Sequence, residues 1–580
     1  MTDKERLEEI EAKKSEWEKG PLKESLARFG TKESPNRFYT PLDVPDFDFL
    51  EDVGFPGQYP FTAGKYAVTD LGMLAKVGVR DEKPPQLIRA GLYSGYGTPE
   101  DTRDYYKAMQ ARGLPEGPNI AFDLPTQCGY DSDDPLVRGE VGKVGVAVDT
   151  LRDFEVIYEV FTGDMNLDRI ASNWTINAPA NIILAMYIAL AEKRGIPLNK
   201  LRGTPQNDIL KEFVARGTYI FPPKPSMRLI RDTIVYCTEN MPLMNIISIG
   251  GYHIREAGAT ASQAIAFTLS NAIAYINLGI ETGLDIDNFV RRFTFLIFGG
   301  SMEIFPEAAS RRAARRVWAK IMKERFKAKN PSNWRLRDVG STTAASCATV
   351  QRPLNNLTRS ILTAISSALT TDVPACYPFY DEALGLGGSL EARQLAEDAT
   401  RILIHEAKLS EVIDPLAGSY YFESLTDKFE AEIWEIINKV EAMGGAAAAV
   451  EKGYVQREIA RSAYQQQKEI ETGERIIVGV NKFTGPDELE VSTTRLVPHP
   501  YDPAKRVEAE EKQIANLTQV KKDRDNQAVE ASLKRLKEAA RDESENTIPP
   551  ILESVKLYTT LGEMCNVLRD VFGEYGIRGL

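Results

Sequence analysis

Two stretches of this chain put hydrogen-bonding side chains where strands should end. Residues 201–223, LRGTPQNDILKEFVARGTYIFPP, open on a short strand-like segment and break into Thr204, Gln206, Asn207 and Asp208. Residues 244–259, MNIISIGGYHIREAGA, do the same and break into Tyr252, His253 and Arg255. Polar groups emerging at strand ends are what a barrel enzyme displays at its catalytic mouth. His253 carries most weight, because the chain holds only three histidines and this one follows an apolar strand and a Gly-Gly turn. An imidazole so placed can donate to a carbonyl or move a proton, although a lone histidine is more often a satisfied structural group. Arg216 offers two parallel donors to a carboxylate, or else pairs with Glu212 one helical turn earlier.

The elements that must hold these groups alternate. Strands are expected at residues 87–95, 119–126, 169–177, 200–206, 244–251, 291–299, 334–342 and 370–377, with apolar or amphipathic helices such as ANIILAMYIALAEKRG between them. Eight strand–helix units in a row predict a parallel sheet, and eight is the number that closes a TIM barrel. An open doubly wound sheet fits less well, since no Gly-x-Gly-x-x-Gly turn follows the first strand and there is no Walker loop. We therefore expect an α/β chain in three regions: a charged N-terminal arm and linker over 1–60, a (β/α)8 barrel over 61–390, and a helical C-terminal extension over 391–580. The arm is expected to lie across another subunit or domain.

Composition narrows the class. A chain of 580 residues, 43% hydrophobic, can bury a large core. Lys+Arg 71 against Asp+Glu 83 gives a net charge of −12, which argues against nucleic acid as a partner and asks any anionic ligand to use a local basic pocket. The five scattered cysteines have no metal spacing and read as reduced thiols. The charged N-terminus lacks the apolar core of a signal peptide, and no stretch approaches a membrane span, so the expectation is a cytoplasmic protein without a membrane partner. Two motifs stay open. The run SRRAARRVWAK at 310–320 either grips phosphates or is a helix face paired with Glu303 and Glu307. The acidic run FDLPTQCGYDSDD lacks the Gly and Glu of a calcium hand and is read as a loop at the barrel mouth.

Colinear blocks carry a resemblance: the two stretches above, FPGQYPFT at 55–62, FDLPTQCGYDSDDPLVRGEVGKVGVAVDT at 122–150, FYDEALGLG at 379–387, DPLAGSYYFESLT at 414–426, EAMGGAAAAV at 441–450 and ERIIVGVNKF at 474–483. Over most of its length the chain resembles the substrate-binding subunit of the adenosylcobalamin-dependent acyl-CoA mutases, the methylmalonyl-CoA mutase family. The resemblance implies an isomerase that interconverts a branched and a linear acyl-CoA by a radical carbon-skeleton rearrangement, most simply of the methylmalonyl-CoA to succinyl-CoA type. In that register His253 matches the donor to the thioester carbonyl, and Thr204 and Gln206 match contacts to the acyl group. Asn245 and Arg292 match CoA-side contacts, Thr294 stands where the family usually has serine, and Thr175 is a further substrate-facing position. Tyr93 matches a tyrosine beside the rearranging group, and Glu382 a residue near the adenosyl ribose. Arg216 matches the arginine that pairs with a free carboxylate, and Ala121 stands where the 2-hydroxyisobutyryl enzyme carries an aspartate.

The chain also departs from the family. After YPFTAGKYAVTD the usual CoA-channel motif is replaced by a longer segment, and Val339 and Ser341 stand at a His and a Gln position. Those changes suit a mutase for a bulkier, hydroxylated or uncharged acyl-CoA, such as isobutyryl- or 2-hydroxyisobutyryl-CoA, and also a non-catalytic acyl-CoA-binding paralogue. Neither His405 nor His499 sits in the Asp-x-His-x-x-Gly pattern that ligates cobalt. The resemblance thus implies a separate small cobalamin-binding subunit, in a heterodimer or heterotetramer, clasped by the charged arm.

Overall fold

The computed structural model describes residues 3–29, 38–68, 94–111, 117–299, 301–338, 347–372, 376–384, 389–485 and 503–576. It is a helix-rich mixed α/β structure with parallel sheets. Five strands form: β1 (Asn119–Ala121), β2 (Ala171–Thr175), β3 (Arg202–Pro205), β4 (Ile247–Gly250) and β5 (Phe293–Leu296). All pairings are parallel, β1 to β2 to β3 and β4 to β5. The two sheets touch through backbone bonds: Asn245 N–H donates to Gly203 O and Ser248 N–H to Gln206 O, both at 2.9 Å. Single parallel bridges extend the array on either side, Ser94 to Ile120 and Phe295 to Asp338. Seven consecutive segments are therefore joined side by side in chain order. Of the eighth expected strand, Thr370 and Thr371 lie in a turn and residues 373–375 fall outside the described part. The 87–95 strand is described only from Ser94 on.

Each crossover is helical because the strands are joined in parallel and a hairpin cannot reverse them. The outer faces of the strands are packed by these helices. Trp174 of β2 sits edge-on to Tyr187, 4.7 Å between centroids, and donates its indole N–H to the Tyr158 hydroxyl at 2.9 Å. The helix Ala180–Lys193 is buried from Ala180 to Ala191, enclosed between the strands and the helix Ile548–Lys556. A helix apolar on all sides belongs in a core. One expectation needs correction: the helix Ala261–Glu281 is long and apolar enough to cross a membrane by length and composition, but 72% of its most apolar window is buried inside the protein. It serves as a core helix against Tyr420–Ala442.

The arginine-rich helix Ile304–Lys320 settles one open alternative. Arg311, Arg312, Arg315 and Arg316 are all buried. Arg312 donates to both Glu423 carboxylate oxygens (2.8 and 2.9 Å), to Asp414 (3.1 Å) and to the Thr426 hydroxyl (2.8 Å). Arg315 donates to the Thr370 and Thr62 carbonyls, and Arg316 pairs with Asp427 and Glu430. Arg311 pairs with Glu307 at 3.6 Å. Arg312 and Arg316 clamp the C-terminal region to the α/β unit, while Arg311 and Arg315 tie the helix to residues within it, so all four are spent inside the fold. Replacing Arg312 by alanine leaves two carboxylates buried and uncompensated, so a loss of about 3–5 kcal/mol is expected. Thermal unfolding of Arg312→Ala beside Arg312→Met reads it.

The acidic run is also structural. Asp123 caps the helix Leu124–Gln127 and accepts the Gly142 N–H at 2.7 Å, and its burial raises it to about 6. Asp131 accepts the Thr560 hydroxyl (2.6 Å) and the Gly562 N–H (2.7 Å), and pairs with Lys521 at 3.3 Å. The loop is thus the seat of the C-terminal extension. The Lys/Glu-dense region forms the helices Pro503–Asp523 and Asn526–Arg541; the second buries Val529, Leu536, Ala539 and Ala540 and leaves its charged side to solvent. The arm is helical over Asp3–Trp17 and Lys23–Phe29.

Candidate active site

His253 is the second residue of the short helix Tyr252–Glu256, which begins two residues after β4 ends. Gly251 makes the turn possible: a Cβ there would stand 2.6 Å from Thr268 Oγ1 and 2.8 Å from Ile297 O. The turn is held from β3 by Asp208, whose carboxylate accepts the Gly250 N–H at 2.8 Å and the Tyr275 hydroxyl at 2.6 Å. Burial raises Asp208 to about 6. The His253 ring lies against Tyr252, 3.8 Å between centroids and 33° between planes. Its Nδ1 is buried without a hydrogen-bond partner. Burial, and then the charges of Lys211 and Arg216, hold the imidazole well below the ordinary histidine range. At neutral pH it is a neutral ring with one N–H to donate, suited to polarising a carbonyl.

A buried network lies alongside. Gln206 Oε1 accepts Asn177 Nδ2 at 2.9 Å and Lys211 Nζ at 2.7 Å. Asn177 Nδ2 also reaches Glu212 Oε1 at 2.6 Å, and Lys211 forms a wholly buried ion pair with Glu212. Glu212 further accepts the Thr218 N–H (3.0 Å) and hydroxyl (2.6 Å). Burial pushes its carboxyl up, but Lys211 and Arg216 outweigh that and hold it below its usual value. Arg216 ends the π-helical turn Glu212–Arg216 and is about one-fifth exposed. One of its nitrogens reaches Glu212 Oε1 at 3.4 Å and Thr218 Oγ1 at 3.3 Å. Of the two expectations for Arg216 the structure shows the pairing with Glu212, and it places the side chain at the border of the group that contains Gln206 and His253.

The opposite ends of the strands carry a different chemistry. Asn245 Nδ2 donates to Thr204 Oγ1 at 3.0 Å, and Asn245 Oδ1 accepts from Arg337 at 3.4 Å. Arg292 is near Arg337, Arg291 and Arg202; burial first, then their repulsion, lowers it to about 10. Its Nε is buried without a partner. Among the described residues none of these four guanidiniums is hydrogen-bonded to a carboxylate, so their charge is available to an anion. Between the two poles the strand faces alternate. Asn173, Thr175 and Thr204 are half-buried, while their neighbours Ser172, Trp174, Gly203 and Pro205 are buried. Registers pair Asn173 with Thr204, Ala121 with Thr175, and Ser248 with Thr294. One side of the sheet thus packs on helices and the other is partly open and lined by small polar groups. Thr294 donates its hydroxyl to Ile247 O at 2.9 Å.

Of the residues expected from sequence, the structure brings His253, Gln206 and Arg216 to one pole and Thr204, Asn245 and Arg292 toward the other, with Thr175 and Thr294 on the strands between. Glu382 opens the short helix Glu382–Leu384 and accepts the Phe379 N–H at 3.1 Å, in a separate group. Tyr93, Val339, Ser341 and His499 lie outside the described residues. Sequence reasoning missed Asn177, Lys211 and Arg337, and saw in Glu212 only a partner for Arg216. The signal for Lys211 and Glu212 was two charges inside the otherwise apolar stretch DILKEF.

The chain matches the family profile described as methylmalonyl-CoA mutase over residues 31–574. It is 40% identical over 544 residues to a 2-hydroxyisobutanoyl-CoA mutase large subunit from Aquincola tertiaricarbonis, covering 93% of this chain and 91% of that one. It is 39% identical over 531 residues to a methylmalonyl-CoA mutase from Escherichia coli, covering 91% of this chain and 70% of the relative. A methylmalonyl-CoA mutase large subunit from Streptomyces virginiae is 35% identical over 542 residues, 93% of this chain and 70% of that one. With a neutral donor histidine at one end of an open strand face and an uncompensated arginine cluster at the other, the chain belongs to the methylmalonyl-CoA mutase family and is an acyl-CoA mutase, an isomerase.

Proposed function

We propose that the chain is the substrate-binding large subunit of an adenosylcobalamin-dependent mutase, with its strands closed into a (β/α)8 barrel over 61–390 and the acyl-CoA lying along the strand direction. The observation that carries this reading is the polarity of the open face. Four-residue strands at roughly 3.3 Å per residue separate the His253 and Arg292 poles by about 13–15 Å. An elongated ligand with a neutral carbonyl at one end and phosphates at the other suits that spacing. His253 and Gln206 would donate to the thioester carbonyl. Arg202, Arg291, Arg292 and Arg337 would take the phosphates, with Thr204 and Asn245 along the arm. Lys65 suits that reading: its ammonium donates to Asp338 O at 3.0 Å and pairs with Asp372 at 2.7 Å, joining the segment after residue 60 to the last segment of the array and to the eighth expected strand.

The cofactor, when bound, supplies a carbon radical by homolysis of its cobalt–carbon bond. The donors on this chain, amides, hydroxyls and one neutral imidazole, fit an organic thioester, and we assign the cobalt's lower ligand to a separate small subunit. The arm beside a cavity of about 780 Å³, lined by Arg6, Ile10, Lys13, Trp17 and Phe38, is the segment proposed to clasp it. Reconstitution tests this. The chain with adenosylcobalamin alone should be inactive, and adding the small Asp-x-His-x-x-Gly subunit should restore turnover. Full activity without that subunit would overturn the assignment.

Arg216 favours a carboxylated acyl group of the methylmalonyl/succinyl type. A second reading has its own observation: Glu212 and Asp208 together balance Lys211 and Arg216, so an uncharged branched acyl-CoA such as 2-hydroxyisobutyryl- or isobutyryl-CoA would leave the pocket balanced. For either substrate, Arg292→Ala should raise KM by about 10- to 100-fold with kcat nearly unchanged, because a phosphate contact binds ground and transition states alike. Steady-state kinetics on two different acyl chains checks that the loss is uniform.

A further inference from the structure

We propose that Lys211 is a positioning residue for this site: its ammonium, held by Glu212, fastens the Gln206 carbonyl oxygen so that the amide nitrogen faces the open side of the strands, and it stands beside His253. The inference rests on the reading of Gln206 and His253 as donors to the thioester carbonyl. Gln206 Oε1 takes two donors, Asn177 Nδ2 at 2.9 Å and Lys211 Nζ at 2.7 Å. Both acceptor directions of that oxygen are used, so the amide cannot flip without burying an ammonium against an NH2 group. Among the described residues Gln206 Nε2 donates to nothing, and its two N–H bonds are left for a ligand. Lys211 has no exposed side-chain surface, and an ion pair this deep is worth little as stability compared with apolar packing. Its geometry is explained by what it holds.

The same ammonium acts on the histidine. Lys211 Cε lies 3.7 Å from the Cβ position of Gly250, and His253 Nδ1 lies 3.4 Å from the same point. The charged and titratable groups around His253 are Asp208, Lys211, Glu212 and Arg216 from the segment after β3, Tyr252, Arg255 and Glu256 from its own helix, and Tyr275 from Ala261–Glu281. Asp208 is engaged by the Gly250 N–H and Tyr275, and Arg255 by Ala259 O. After burial, Lys211 is the leading charge that disfavours an imidazolium, with Arg216 behind it. Lys211 therefore keeps both donors in donating form, Gln206 by hydrogen bonding and His253 by charge.

Lys211→Met, which keeps length and removes the charge, tests the proposal in two ways. In the reconstituted holoenzyme kcat should fall by up to about 100-fold while KM changes less than threefold, the pattern of a misaligned donor. In the isolated chain, without substrate or cofactor, NMR of ¹³Cε1-labelled histidines resolves only three residues. With both proteins followed from pH 8 down to the acid limit of the fold, His253 should begin to titrate at a higher pH in Lys211→Met than in the native chain. A folded Lys211→Met with native kcat, or with His253 titrating no higher than in the native chain, overturns the proposal. Should Lys211→Met fail to fold, Glu212→Gln replaces it: with the ammonium retained and less compensated, His253 must titrate no higher than in the native chain, and a rise in that variant overturns the proposal. The NMR arm reads Lys211 even where the native protein turns over no acyl-CoA, an outcome that would instead overturn the mutase assignment of substrate and partner.

Discussion

His253→Ala is expected to lower turnover by about 100- to 1,000-fold, the usual cost of removing one donor to a carbonyl that gains negative charge in the transition state. Binding of CoA itself should be unchanged, because the phosphate pole is built from other segments. The fold should also hold: His253 Nδ1 makes no hydrogen bond, and the turn around it is held by Asp208 and Gly251 instead. Native turnover carries a pH signature too. Since His253 is held well below the ordinary histidine range, the rate should show no acid limb near 6.5. Acyl-CoA isomerisation measured from pH 5.5 to 8.5 checks both statements. An acid limb near 6.5 that vanishes in His253→Ala would show that His253 titrates in the ordinary range, and a basic limb there would show an imidazolium at work; either contradicts the assignment.

The second large effect concerns substrate choice. Arg216→Gln should lower kcat/KM for a carboxylated acyl-CoA by about 100-fold or more, since a charge-assisted contact of this kind carries about 2–5 kcal/mol. An uncharged branched acyl-CoA should lose less than threefold. The reason lies in how Arg216 is held. Glu212 and Thr218 each engage the same guanidinium nitrogen at 3.3–3.4 Å, long for hydrogen bonds, and the side chain keeps about one-fifth of its surface exposed. The remaining donors are thus oriented and unspent. Equal losses on both substrate classes would assign Arg216 to Glu212 alone and favour the uncharged acyl group.

Much of this was legible because local signals and long-range placement agreed. The strand MNIISIGG followed by YHIRE shows a β-branched run, two glycines and a polar cluster, and the structure has β4, a tight turn and His253 in that order. The helix Ala180–Lys193 is mainly apolar up to Ala191 and is buried over that length. The failures have a common cause, which is that side-chain partners far apart in sequence cannot be read locally. SRRAARRVWAK looks the same whether it meets phosphates or the carboxylates of Asp414, Glu423, Asp427 and Glu430; only the packing of Tyr420–Ala442 decides. Lys211 and Glu212 are adjacent, and adjacent helical residues face different ways, so the pair reads as surface charge. Here a π-helical turn starts at Glu212 and both side chains converge on Asn177 and Gln206. Arg337 matters only beside Arg292, which comes from a different strand. Ala261–Glu281 was read rightly as a helix between strands, but its length and apolar character were underrated, since an enclosed core helix and a membrane span share one composition.

The most direct test of the central claim is acyl-CoA isomerisation followed by mass spectrometry, with the chain, the small cobalamin-binding subunit proposed for it and adenosylcobalamin. Methylmalonyl-, ethylmalonyl-, isobutyryl- and 2-hydroxyisobutyryl-CoA are compared side by side. The account predicts turnover of the carboxylated pair, dependent on His253 and on Arg216. Turnover of the uncharged pair alone would contradict the role given to Arg216, and silence with all four in a complex that retains cobalamin would contradict the proposed substrate class.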